Sequence, residues 1–181
     1  VLLNADTLVP ASNWLERLRS AASSHPRVGT ATPFSNRATI CSLPLPNVDN
    51  EMPPRHTVDS LDALCAQANP GQTVELPTAV GFCMYIKRAL LNEVGLFNVE
   101  RWGNGYGEEN DFCLQAATLG WRHVAACDLF VQHHGAVSFQ GEKFERIRKN
   151  LVVLNSIYPD YPATIQRFQR LDPLAAPRNR V

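Results

Sequence analysis

Three glycines in five residues, Gly103, Gly105 and Gly107, stand directly before an apolar pattern of helical period, and three acids mark the junction. Glycine lets the backbone turn sharply and approach a ligand closely. Glu108, Glu109 and Asp111 then fall in the first helical turn, where the positive end of the helix dipole favours negative charge. Phe112, Leu114, Ala116, Ala117 and Leu119 continue the helix and Gly120 stops it. Acids at a helix start are common. Three of them behind a glycine loop, with Trp102 and Tyr106 alongside, point to a site. Trp102 and Tyr106 are candidates for stacking on a ligand, with loop packing as the equal alternative, whereas Trp121 reads as core.

The chain in order reads as alternating strands and helices. Val1-Leu2-Leu3 is expected to be a buried strand already under way, so the sequence reads as part of a longer protein. It runs into Asn4-Ala5-Asp6-Thr7. A carboxylate at the C-terminal end of a strand is where open α/β sheets place ligand chemistry, although an aspartate that only shapes a turn is the commoner role for such a stretch. A helix follows from Ser12 or Asn13 to about Ser24, with Trp14, Leu15, Leu18 and Ala22 inward. Arg27–Pro33 reads as a strand ended by proline. Residues 34–56 form a long proline-rich loop, a length at which loops are often functional lids.

Thr57–Ala68 has helical spacing and Asn69-Pro70-Gly71 ends it. Ala79–Ile86 reads as one β run, and Lys87–Val94 as a helix closed by Gly95. Trp121–Ala126 and Leu129–Gln132 read as two strands, the second ending in His133-His134-Gly135. A long helix after Gly141 carries an apolar face of Phe144, Ile147, Leu151, Leu154 and Ile157, with a basic, solvated opposite face. A short segment with Ile165, Phe168 and Leu171 and a mobile Pro/Ala/Arg tail complete the chain. The expected organisation is a catalytic unit over residues 1–158 and a C-terminal segment over 159–181.

Composition narrows the class. At 181 residues the chain suits one domain; 45% hydrophobic and 19% charged residues indicate a globular protein rather than a disordered one. A net charge of zero gives no reason to expect a nucleic-acid partner. No apolar run is long enough to span a bilayer. Five cysteines without C-x-x-C spacing argue against zinc and thiol redox sites, read as small core residues, and suit a reducing, cytoplasmic setting.

Leu-Leu-Asn-Ala-Asp-Thr, Gly81–Arg88, Glu93–Phe97, Gly-Tyr-Gly-Glu-Glu-Asn-Asp-Phe-Cys-Leu and His-His-Gly-Ala-Val-Ser-Phe, in that order, resemble the later part of family 2 glycosyltransferases of the GT-A fold, over about residues 1–140. The resemblance implies an α/β fold with a mixed sheet flanked by helices, lacking the opening nucleotide-binding units. It implies transfer of a sugar, rhamnosyl or another hexosyl, from a nucleotide-diphosphate donor to a glycan or lipid-linked acceptor, with inversion, in cell-surface polysaccharide synthesis. The setting would be cytoplasmic, with peripheral association at the inner face of the membrane.

By the same resemblance Asp6 and His133 would hold Mg²⁺ or Mn²⁺, Asn4 and Asp6 would face the donor, and Glu109 would be the base. His134, adjacent to His133, would point to the other face of an extended backbone. Glu108 would support the loop or bind acceptor; Asp111 would bind acceptor hydroxyls or hold the helix start; Trp102 and Tyr106 would stack on an acceptor sugar or only pack the loop. Gln115 stands where the family often has arginine, which puts an ionic brace from that position in doubt. Without the opening units, weak or no nucleotide-sugar binding is expected of these residues alone. Two other readings stay open: a metal-dependent hydrolase using Asp6, His133, His134 and the acids, and a non-catalytic carbohydrate-binding module.

Overall fold

Two central strands organise the sheet, and their sequences explain why. The computed structural model describes residues 1–103, 105–135 and 140–181. The first half holds β1 (Leu2–Leu3), β2 (Thr7–Leu8), α1 (Trp14–Ala22), β3 (Val28–Phe34) and α2 (Val58–Ala68). The middle holds β4 (Thr73–Leu76), β5 (Cys83–Ile86), α3 (Arg88–Val94), α4 (Val99–Trp102) and α5 (Glu108–Thr118). Then come β6 (Arg122–Phe130), β7 (Gln132–His133), α6 (Gln140–Ile157), α7 (Tyr161–Leu171) and α8 (Ala175–Arg178).

The main sheet is mixed, in the order β1-β5-β3-β6-β4. Only β3 and β6 pair in parallel; the other neighbours are antiparallel. Every residue of β3 is buried, and every residue of β6 except Arg122. That burial suits their small and apolar residues, since strands covered on both faces carry no polar alternation. Successive residues of β5 face opposite ways: Cys83 packs with Leu18, Leu61 and Phe130, Met84 with Leu90, Phe112 and Trp121. Helices therefore cover both faces, α1 and α2 on one and α3 and α5 on the other. β2 and β7 form a separate antiparallel pair.

Several elements differ from expectation. Val1, Leu2 and Leu3 are 52%, 42% and 44% exposed, because β1 is an edge strand with no described neighbour on its outer side. Leu15 is likewise exposed, and the inner face of α1 is Leu18, Ala21 and Ala22, with Trp14 half-buried against the same core. Pro33 does not end β3. It sits beyond the last residue paired with β5, beside a register shift against β6, where a missing N–H is tolerated. Ala79–Phe82 is not strand. Its backbone is claimed elsewhere: Ala79 N–H by Cys113 Sγ (3.4 Å), Val80 N–H by Thr32 Oγ1 (3.2 Å) and Phe82 C=O by Asn4 N–H (2.8 Å). The two strands read in 121–132 are one, β6, followed by the short β7.

The C-terminal end is docked, not mobile. Leu174 and Arg178 are buried, and the Arg178 guanidinium donates to Ser42 O (3.0 Å) and Ile40 O (3.3 Å) while pairing with Asp172 (2.9 Å). A buried guanidinium is tolerable because its donors meet carbonyls and a carboxylate. On α6 only Leu154 of the expected apolar face is buried; Leu151 and Ile157 are exposed, Ile147 is intermediate, and Phe144 lies outside the described side chains. No helix among the described residues is long and apolar enough to cross a membrane. All five cysteines are buried free thiols, and desolvation pushes those of Cys65, Cys83, Cys113 and Cys127 up to about 12.

Candidate active site

The turn after β1 brings together residues far apart in the chain. Asn4 O accepts from Thr7 Oγ1 (2.7 Å) and Thr7 N (3.3 Å), which bends the chain back after the strand. Thr7 then pairs with His133 in the β2–β7 ladder, and His134 N–H donates to Asp6 O (2.9 Å). The ladder thus carries His133 to Asp6 across 127 residues: Nε2 lies 3.3 Å from Asp6 Oδ1 and 3.4 Å from Asn4 Nδ2.

The tautomer of His133 follows from its other nitrogen. Nδ1 is 2.7 Å from the carbonyl of Arg37, which can only accept, so Nδ1 carries a proton. In the neutral ring the Nε2 lone pair therefore faces Asp6 and Asn4. Backbone-anchored Nδ1 with free Nε2 is the arrangement of metal-ligating histidines. The ring is stacked on Phe82 at 5.3 Å. Its backbone is clamped by one buried amide: Asn36 Oδ1 accepts from His133 N (2.9 Å) and Asn36 Nδ2 donates to His133 O (3.0 Å). Asn36 also exchanges bonds with Asn50, which ties down the long loop. His134 is exposed and does not line the cavity described below.

The acidic helix is set by its glycine loop. Gly103, Gly105, Tyr106 and Gly107 all have positive φ, at 55°, 106°, 70° and 140°. At Gly107 the reason is steric as well, since a Cβ there would lie 2.7 Å from Trp102 Cε3. The three acids beyond it have separate surroundings. Glu109 packs its side chain against Gly81, and burial, followed by the charge of Glu108, raises its carboxyl above the ordinary range. Glu108 lies beside Gly105, and its Oε2 is buried with no hydrogen-bond partner among the described residues.

Asp111 is 1% exposed and accepts from Trp102 Nε1 (2.8 Å), Tyr158 Oη (2.6 Å) and Arg101 Nη1 (3.2 Å). Burial works to raise its pKa, but hydrogen bonds from Tyr158 and Trp102 and the Arg101 charge hold it below the usual carboxylate range. These contacts favour one of the two readings left open for each residue. Trp102 is 3% exposed, so its faces cannot stack on an acceptor; it is the packing core of the loop. Asp111 has its oxygens occupied within the protein, so it braces the helix start and does not meet acceptor hydroxyls. The ionic partner is Arg101, one helix earlier, while the neutral Gln115 adds a side-chain hydrogen bond to Asp111.

A cavity of about 780 Å³ opens between these parts. Asn4 and His133 line it on one side and Glu108, Glu109 and Tyr106 on another. Asp6 is not in its wall and reaches it through His133. Tyr106 is 38% exposed at this cavity, where a flat ligand can meet it. Arg37 and Arg146 supply positive charge to the walls. Arg37 also donates to His134 O and pairs with Glu51. Neither arginine, nor Asn36, is marked by sequence. Arg37 and Asn36 sit in a loop without periodicity, and Arg146 is one of several bases on α6.

Whether a divalent cation fits can be asked of the donors present. Asp6 Oδ1 and His133 Nε2 are an oxygen and a nitrogen donor 3.3 Å apart. Mg²⁺-type ions are often held by one or two carboxylates, with waters and substrate phosphates completing the shell. A two-donor protein set fits that use, and no group of three or more His, Cys, Asp or Glu positioned for a metal occurs among the described residues. No family model, curated protein or solved structure matches this chain.

Proposed function

We propose that this chain is the metal- and acceptor-side portion of an inverting glycosyltransferase of family 2, on a GT-A arrangement of its mixed sheet. What supports this reading is one convergence: His133, held beside Asp6, and Glu109, with a raised pKa, line the same cavity. Asp6 and His133 would hold Mg²⁺ or Mn²⁺. When bound, such an ion supplies charge neutralisation for the departing diphosphate. Arg37 and Arg146 add cationic charge to the same cavity, where phosphate oxygens would lie.

Glu109 takes the proton. As the acceptor oxygen bonds to the anomeric carbon, its hydroxyl proton passes to a Glu109 carboxylate oxygen. The bond from that carbon to the diphosphate breaks, and its electron pair leaves on the phosphate oxygen. One base opposite one leaving group gives a single displacement and inversion. A raised pKa makes Glu109 a stronger base than an exposed glutamate once it is ionised. Tyr106 offers a ring for a sugar face, and Asn4 an amide for donor hydroxyls.

The test uses the polypeptide that contains this chain, with a panel of nucleotide-sugar donors. Glu109→Gln is expected to lower transfer about 10²- to 10⁴-fold with donor binding nearly unchanged. Its acid limb supplies a second check: the parent's rate should fall off at a pH above that of an ordinary glutamate. Wild-type turnover in Glu109→Gln would overturn the assignment, and release of free sugar to water without transfer would favour a hydrolase.

A further inference from the structure

Glu109 belongs to two cavities. The second, about 390 Å³, lies between the start of α5 and the helices α6 and α7, and it shares Thr39, Val80 and Glu109 with the first. Its surface is mainly apolar, with Ile40, Leu151, Pro162 and Ile165 in the lining beside the polar Asn110, Asn155 and Gln166. Tyr161 fixes the wall next to the base, donating to Asn110 Oδ1 (3.1 Å) and meeting Thr78 Oγ1 (3.2 Å). Leu151 is 46% exposed there, an aliphatic side chain left wet in the wall of a concave site. A pocket of this size and lining suits a compact apolar group with a few oriented polar contacts.

We propose that this second cavity binds an acceptor that carries an apolar substituent next to its reacting sugar. The inference rests on the glycosyl-transfer reading above. In a single displacement the nucleophile enters opposite the leaving group. The first cavity holds the His133–Asp6 pair and two arginines, so the leaving diphosphate belongs there. The acceptor then approaches Glu109 from the second cavity, which has Glu109 in its wall and neither the His133–Asp6 pair nor the two arginines. There the sugar hydroxyl meets the carboxylate, and the alkyl or aryl group lies along Leu151, Pro162 and Ile165. A purely polar glycan would leave those side chains without a partner.

Octyl β-D-glucopyranoside below its micelle concentration is the probe, with methyl β-D-glucopyranoside as the polar control. Methyl NMR of Ile, Leu and Val side chains is the readout. Saturable shifts at Ile40, Leu151 and Ile165 with the octyl compound, and much smaller ones with the methyl compound, are expected. Leu151→Gln, at an exposed position that spares the fold, should weaken binding about tenfold or more. In transfer assays it should raise KM for alkyl glycosides while leaving KM for the donor unchanged.

Equal shifts from both compounds, or shifts spread over the exposed Leu96 and Val152 as well, would overturn the proposal. So would a donor KM that rises with the acceptor's. These outcomes are separable from failure of the parent reading, which is judged by Glu109→Gln turnover alone.

Discussion

Removing the carboxylate of Asp111 is the sharpest test of whether the acidic helix start is a binding surface or a structural joint. Asp111→Ala orphans one buried donor, the Trp102 indole N–H, and one half-buried donor, the Tyr158 hydroxyl, which sit 2.8 and 2.6 Å from its oxygens. Each unsatisfied buried donor costs about 1–3 kcal/mol. Arg101 is 38% exposed at its side chain and regains water, so its loss adds at most about 1 kcal/mol. The half-buried hydroxyl regains some water, so the expected destabilisation is about 2–4 kcal/mol, which for a chain of this size lowers Tm by roughly 4–16 °C.

Thermal unfolding followed by near-ultraviolet circular dichroism reports both the midpoint and the Trp102 environment. The pH dependence gives an independent check. The folded-state pKa of Asp111 is depressed, so its contribution is present above the unfolded-state value and lost as pH falls through the folded one. The gap between parent and variant should therefore narrow in acid. A variant that melts within about 2 °C of the parent at pH 7, against a rate of about 2–4 °C per kcal/mol, would refute the joint. If such a variant also lost acceptor binding, Asp111 would be a ligand after all.

Gly107→Ala meets Trp102 Cε3 at 2.7 Å from a backbone at φ 140°, so it should disorder the loop and cut transfer together with stability; calorimetry and the transfer assay on the same sample decide it. His123 is buried, with Nε2–H directed at Cys113 O (3.0 Å) and Nδ1 meeting Thr30 Oγ1 (2.8 Å), and desolvation lowers its pKa to about 4. Its unfolded-state value is about 6.5, so folding loses about 3 kcal/mol as pH falls from there to about 4. Denaturant titrations at several pH values should show that slope in the parent and not in His123→Gln.

The parts of the fold that were legible in the sequence are those fixed by neighbours in the chain. Helix α2 begins at Thr57 because Thr57 and Ser60 cap each other, at 3.2 and 2.9 Å, three residues apart. The ends of α3 and α5 follow from Gly95 and Gly120, both at positive φ. What stayed hidden depends on distant partners. The apolar run Val1-Leu2-Leu3 reads as core from its composition, but its burial is decided by the sheet order. The tail looks mobile until Arg178 meets the carbonyls of Ile40 and Ser42, 138 and 136 residues away. The pairing of Asp6 with His133 has no local signature at all, and it entered the sequence reading only through family resemblance.

The three acids show where the boundary falls. Glu108, Glu109 and Asp111 are nearly equivalent in sequence: short-range neighbours, same charge, same helix turn. A helix advances about 100° per residue, so Glu108 and Asp111, three apart, return to nearly the same side, while Glu109 is turned away from both. That side faces the glycine loop, with Gly105 against Glu108 and Trp102 against Asp111; the other faces Gly81. Helix period alone therefore separates Glu109 from the other two. It does not tell which side is wet. That depends on Trp102 filling the space under Gly107 and on Tyr158, 47 residues on, reaching back to Asp111. With both in place Asp111 is closed off by packing, Glu108 and Glu109 line the first cavity, and of the three acids Glu109 alone also lines the second.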